Sequence, residues 1–83
     1  MAHIARHGVK PGEVESVFEN DPVDLDYDVM DGEERWASIG HTRGFRVLLV
    51  IWTMRGQAVR PITARPVSRA RATEYLKRKG LTR

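Results

Sequence analysis

Apolar positions change their period along the chain, and the changes mark the elements. Val14, Val17 and Phe18 follow i, i+3, i+4 spacing and give one apolar face to a helix opening at Pro11. Proline suits the first helical position, where its missing N–H would have no acceptor. Glu13 and Glu15 sit in the first turn, at the positive end of the helix dipole. Asn20-Asp21-Pro22 stops the helix. Ahead of it, Met1 to His7 reads as a short helical turn closed by Gly8. From Val23 the period falls to two. Val23, Leu25 and Tyr27 alternate with Asp24, Asp26 and Asp28, the pattern of a half-exposed strand.

Asp31-Gly32 predicts a turn, and Arg35 to Gly40 a second strand. Thr42-Arg43-Gly44 then makes a hairpin into Phe45 to Thr53, which is apolar on both faces and so the central strand. Arg55-Gly56-Gln57 turns the chain into a fourth strand, Ala58 to Arg65. Pro61 cannot donate to a ladder and predicts an edge or a bulge there. Ser68 caps a last helix that runs to about Lys79, with Lys77, Arg78 and Lys79 at its negative end and Gly80 as its stop. The order is α-α-β-β-β-β-α. It predicts an α+β fold with a four-stranded antiparallel sheet, N-terminal helices and a C-terminal helix.

The chain has 83 residues, one domain's worth, so its core is compact or completed by a partner. It has no cysteine, which removes disulfide scaffolds, thiolate zinc sites and cysteine nucleophiles. No apolar run approaches the roughly 20 residues of a membrane span, and no signal-peptide pattern opens the chain. These features predict a cytoplasmic protein without a membrane partner. The net charge of +3 conceals a division. Residues 1–42 carry three basic side chains against ten acidic ones. Residues 43–83 carry eleven basic side chains against Glu74 alone. Eleven of the fourteen basic residues are arginine, the side chain suited to two-pronged contact with phosphate. The second half therefore reads as a surface for nucleic acid, unless the two halves neutralise one another internally.

Four segments in order resemble the BrnT-type toxins, RelE-like ribonucleases of bacterial type II toxin–antitoxin pairs. They are His3-Ile4-Ala5-Arg6-His7-Gly8-Val9; Val17-Phe18 with its acidic turn; Gly32-Glu33-Glu34-Arg35-Trp36 through Gly40 and on to Val50-Ile51-Trp52-Thr53-Met54-Arg55-Gly56; and Arg60-Pro61-Ile62-Thr63-Ala64-Arg65, with Tyr75 ten residues later. The chain departs from the family pattern in starting after the family's usual N-terminal strand. It also departs at Lys10, often serine, at Pro61, usually apolar, and at Arg71, often glutamate. The absent strand predicts an open sheet edge.

The resemblance implies a toxin that cleaves messenger RNA without metal or cofactor. It further implies neutralisation by a BrnA-like antitoxin of the ribbon-helix-helix DNA-binding type, in a hetero-oligomer. Metal-free cleavage needs a base for the ribose 2′-hydroxyl, an acid for the leaving 5′-oxygen, and cations for the charge on phosphorus. Arg55, Arg60 and Arg65 are the candidate cations. Arg60 and Arg65 point to opposite faces of a regular strand but to one face if Pro61 brings a bulge. His7 and Glu34 are the acid–base candidates. Arg6, Arg35, Trp52, Arg69 and Tyr75 are candidate RNA contacts, although Trp52 also reads as core and Tyr75 as an anchor for the last helix. His3 and His7, four apart, suit a metal on a helix, but no third ligand stands out and no metal is expected. The alternative is a degenerate toxin that binds its antitoxin or RNA without cutting.

Overall fold

The computed structural model describes residues 5–6, as backbone, and 8–81. The elements are β1 (Ala5–Arg6), α1 (Pro11–Glu19), β2 (Val23–Met30), β3 (Glu33–His41), β4 (Val47–Arg55), β5 (Ala58–Pro66) and α2 (Arg69–Arg78). The strands form one sheet in the order β1-β5-β4-β3-β2. Strands β2 to β5 make an antiparallel meander with β4 inside it, and β1 lies parallel to β5. This is the expected α+β arrangement with two corrections at its start. Ala5–Arg6 is a strand rather than part of a helical turn, and the sheet has five strands rather than four. Thr63 and Ala64 offer backbone groups at the outer edge of β5, and Ala5–Arg6 pairs with them. An isolated turn of helix fixes several dihedrals for a single hydrogen bond, so the pairing wins. One helix, α1, therefore precedes the meander. The expected open edge is covered along Thr63–Ala64.

Cross-strand partners share a face, so the register sorts the side chains. One face carries Ser38, Gly40, Leu48, Val50, Trp52 and Ala64. Helix α1 covers it, and Val14 and Val17 join Val9, Leu48, Val50 and Ala64 in one buried cluster flanked by Phe18 and Trp52. The opposite face carries Ile39, Val47, Leu49, Ile51 and Thr53. Helix α2 covers only one end of it, where Tyr75 packs with Ile39 and Val47, and Val67, Ala72 and Leu76 close the margin.

Both helix starts follow from side-chain chemistry. The Ser68 hydroxyl accepts from the Arg71 N–H at 3.2 Å, the expected cap. Lys10 precedes α1 and has no acceptor to offer, so only the return contact forms, with the Lys10 N–H donating to Glu13 Oε1 at 3.1 Å. The connection before β4 is longer than expected and runs through Phe45. That residue adopts φ +63°, uncommon for a bulky side chain. The Arg46 N–H donating to the Thr42 hydroxyl (3.1 Å) and the Phe45 ring lying parallel to His41 (5.7 Å between centroids) hold it there.

Helix α1 approaches the sheet closely over Gly40. A Cβ there would lie 2.6 Å from Val17 Cγ1 and 3.1 Å from Pro22 Cβ. Gly40→Ala must push α1 off the sheet or distort β3, so it should cost about 1–3 kcal/mol. Urea unfolding checks this, with Gly12→Ala, which meets nothing within 4 Å, as the control.

Candidate functional site

The bulge that Pro61 suggested is present. Trp52 pairs with Pro61 and Ile51 with Thr63, so Ile62 is the extra residue. Proline fixes φ near −65°, far from the −140° of antiparallel strands, and a bulge absorbs the mismatch. Beyond it the alternation is shifted by one. Arg60 pairs with Thr53 and Arg65 with Leu49, so both arginines stand on the face that α2 half covers. Arg55, paired with Ala58 at the end of β4, follows the same alternation. Arg55 and Arg65 are exposed and Arg60 is half-buried. Among the described residues none of the three has a carboxylate within ion-pair distance.

The other predicted residues scatter. Arg35 shares the arginine face, but Glu33 holds its Nε at 3.3 Å. Glu34 stands on the α1 face, opposite the arginines. Its carboxylate accepts from the Tyr27 O–H at 2.9 Å, and its carbonyl accepts from the Thr53 hydroxyl. Trp52 is also on the α1 face, half-buried within a run of rings: Tyr27, Trp36, Trp52 and Phe18, with centroids 5.3, 4.7 and 5.6 Å apart. Its Nε1–H donates to the Ser38 hydroxyl at 2.8 Å, which donates to Asp24 Oδ1 at 2.6 Å. Trp52 is thus a core residue with a satisfied N–H. Arg69 opens α2 and is exposed. His7, His3 and the side chain of Arg6 lie outside the described residues.

Tyr75 is only 6% exposed, which leaves no ring face for a base. It serves as the anchor: its hydroxyl lies 2.9 Å from His41 Nδ1 and ties α2 to the end of β3. Burial raises the Tyr75 phenol above its ordinary range, with Asp21 nearby acting in the same direction. Burial, and then Lys79, holds His41 below the ordinary imidazole value. His41 and Tyr75 lie 34 positions apart, so the contact has no signature in the sequence.

A concavity of about 420 Å³ lies beside α2 over β2 and β3. Its floor is Val23, Leu25, Ile39 and Tyr75, with Arg71 and Arg78 on its rim. The described surface therefore offers two distinct features on one side: an open row of arginines, and an apolar groove beside the helix.

A family model described as the ribonuclease toxin BrnT of type II toxin–antitoxin systems matches residues 1–71. No curated protein and no solved structure matches the chain.

The His41 environment sets a pH dependence. The unfolded chain binds a proton at the imidazole more readily than the folded one does. Stability is therefore complete above the ordinary value of 6.5 and falls as pH drops below it toward the folded value. Glu13 acts lower. The Lys10 N–H, and then Arg46, hold its carboxylate below 4.5, so its contribution is lost only as pH falls through the carboxylate range. Urea midpoints measured between about pH 7 and 5 should decline for the wild type and stay flat for His41→Asn.

Proposed function

The chain belongs to the BrnT family of ribonuclease toxins from type II toxin–antitoxin systems, and from that premise and the arginine face we propose a metal-independent endoribonuclease that cleaves messenger RNA. The observation that carries the reading is the placement of Arg60 and Arg65 on one open face by the Ile62 bulge, with no carboxylate among the described residues within ion-pair distance of them. Four ladder steps separate them, about 13 Å along the strand, so they serve different phosphates of one RNA strand. Arg55 extends the row.

In this reading the ribose 2′-oxygen attacks the adjacent phosphorus, the P–O2′ bond forms and the P–O5′ bond breaks. The products are a 2′,3′-cyclic phosphate and a 5′-hydroxyl. The arginines stabilise the charge that grows on the non-bridging oxygens. His7 is the assigned proton-transfer group. Glu34, on the far face and bonded to Tyr27, is given no part. We place the reaction in the cytoplasm and take the fold as RelE-like on the strength of the sequence resemblance. The partner in this reading is a BrnA-like antitoxin of the ribbon-helix-helix type that covers the arginine face with its own carboxylates.

One observation favours a second reading. Glu34, the carboxylate among the acid–base candidates, stands on the face opposite the arginines, as suits a degenerate toxin that binds RNA or antitoxin without cutting. Purified protein that retains single-stranded RNA at low salt and leaves it intact decides for that reading.

Cleavage of bulk RNA should persist in EDTA and leave cyclic phosphate ends. Activity that vanishes with chelator and returns with magnesium or zinc overturns the metal-independent step. Arg65→Ala and Arg60→Ala should each lower the cleavage rate by about 10²–10³, the usual loss when a donor to developing charge is removed. The same changes should move stability by less than about 1 kcal/mol, because neither guanidinium has an ion-pair partner among the described residues. Rates and urea midpoints measured on the same preparations separate the two effects.

A further inference from the structure

Strand β2 ends the sheet, and nothing among the described residues pairs with its outer side. All eight of its residues are exposed, including Val23, Leu25, Tyr27, Val29 and Met30. A long, apolar free edge of this kind is a template for another strand.

The register shows which backbone groups face outward. Met30 pairs with Glu33 across the two-residue turn Asp31-Gly32, where both residues have positive φ. In such a turn the closing pair exchanges both of its backbone hydrogen bonds. Pairs then alternate along the ladder, so Asp28 and Asp26 bond to β3 while Val29 and Tyr27 turn their N–H and C=O groups to the free edge. These same two N–H groups are taken. Tyr27 N–H donates to Asp26 Oδ1 at 2.8 Å, and Val29 N–H donates to Asp28 Oδ1 at 2.7 Å.

We infer that Asp26 and Asp28 close the β2 edge against strand addition by a second copy of this chain. Each carboxylate occupies the outward donor of the next residue, leaving carbonyl acceptors and negative charge where an incoming strand needs N–H groups. Leu25, the extra residue between Asp24 and Asp26, bends the strand as well. An antiparallel copy would also bring aspartates against aspartates, a repulsive pairing. With the caps removed, the same strand carries free donors, free acceptors and five exposed apolar side chains, which suits it to pair with itself. The inference is independent of the RNA chemistry.

The test compares the full chain with two double variants by sedimentation equilibrium, with thermal melts confirming that each is folded. D26A/D28A removes both acceptors. D26N/D28N removes the charge but keeps an oxygen for each N–H. The expected result is concentration-dependent dimers for the alanine variant, at concentrations where the wild type and the asparagine variant do not associate. Amide exchange supplies a second readout that needs no dimer. Single variants D26A and D28A should speed exchange at Tyr27 and Val29 respectively, each without affecting the other. An alanine variant that associates no more than the wild type overturns the inference. So does an asparagine variant that associates as strongly as the alanine one, or exchange at the two amides that ignores the substitutions.

Discussion

Ile62 has no partner on β4, and the surface of this protein depends on that one omission. Pairing runs from Trp52–Pro61 directly to Ile51–Thr63. A strand with strict period two would turn Arg60 and Arg65 to opposite sides, one of them toward α1 and the core beneath it. The extra residue shifts the alternation by one, so both guanidinium groups reach the same solvent-facing side. The deviation that makes the row is local and needs only a proline and one unpaired residue. It leaves the buried cluster of Val14, Val17, Leu48, Val50 and Ala64 undisturbed on the other face.

The two faces divide the work. The α1 face holds the core and a run of four aromatic rings, with Ser38 and Asp24 satisfying the Trp52 N–H. The α2 face is closed at one end by the Tyr75–His41 contact, and the arginines run from Arg65, level with Ile39, to Arg60 and Arg55 at the open end. The charge division along the sequence is partly spent on joining the halves. Arg43 reaches Glu19 at 2.8 Å, while Arg46 reaches Glu13 at 3.1 Å and the Gly8 carbonyl at 2.8 Å. The Arg43 pair is exposed and contributes little, while Arg46 fixes the start of α1 through a charge-assisted contact with the backbone. Internal neutralisation is thus real for Arg43 and Arg46 and, among the described residues, does not extend to Arg55, Arg60 or Arg65. The two sheet edges are managed separately: β1 and two prolines, Pro61 and Pro66, mark the β5 side, and aspartates mark β2.

Much of this was legible in the residues. The i, i+3, i+4 apolar spacing located α1, the apolar run located β4 as the inner strand, Ser68 located the start of α2, and Pro61 announced the bulge. What escaped depends on pairing across long stretches of chain. Two residues are too few to show a period, so β1 read as a helical turn. Starting the second strand at Arg35 left Glu34 unplaced, although it belongs to β3 and faces away from the arginines. His41 and Tyr75 are ordinary in sequence and meaningful only once α2 lies on the sheet. The aspartates of β2 read as the polar half of an alternating strand, which is correct. Their contact with outward amides emerges only from the register.

The central claim is that RNA meets the face shared by Arg60 and Arg65 and not the aromatic face behind it. Side-chain NMR reports both faces in one titration, through the arginine Nε–H signals on one side and the Trp36 and Trp52 indole N–H signals on the other. A single-stranded RNA carrying 2′-O-methyl groups, which block the attacking oxygen, serves as the ligand at low salt. The account predicts that Arg60 and Arg65 shift together while both indoles hold still. Indole shifts with unmoved arginines would place the RNA on the α1 face and contradict it.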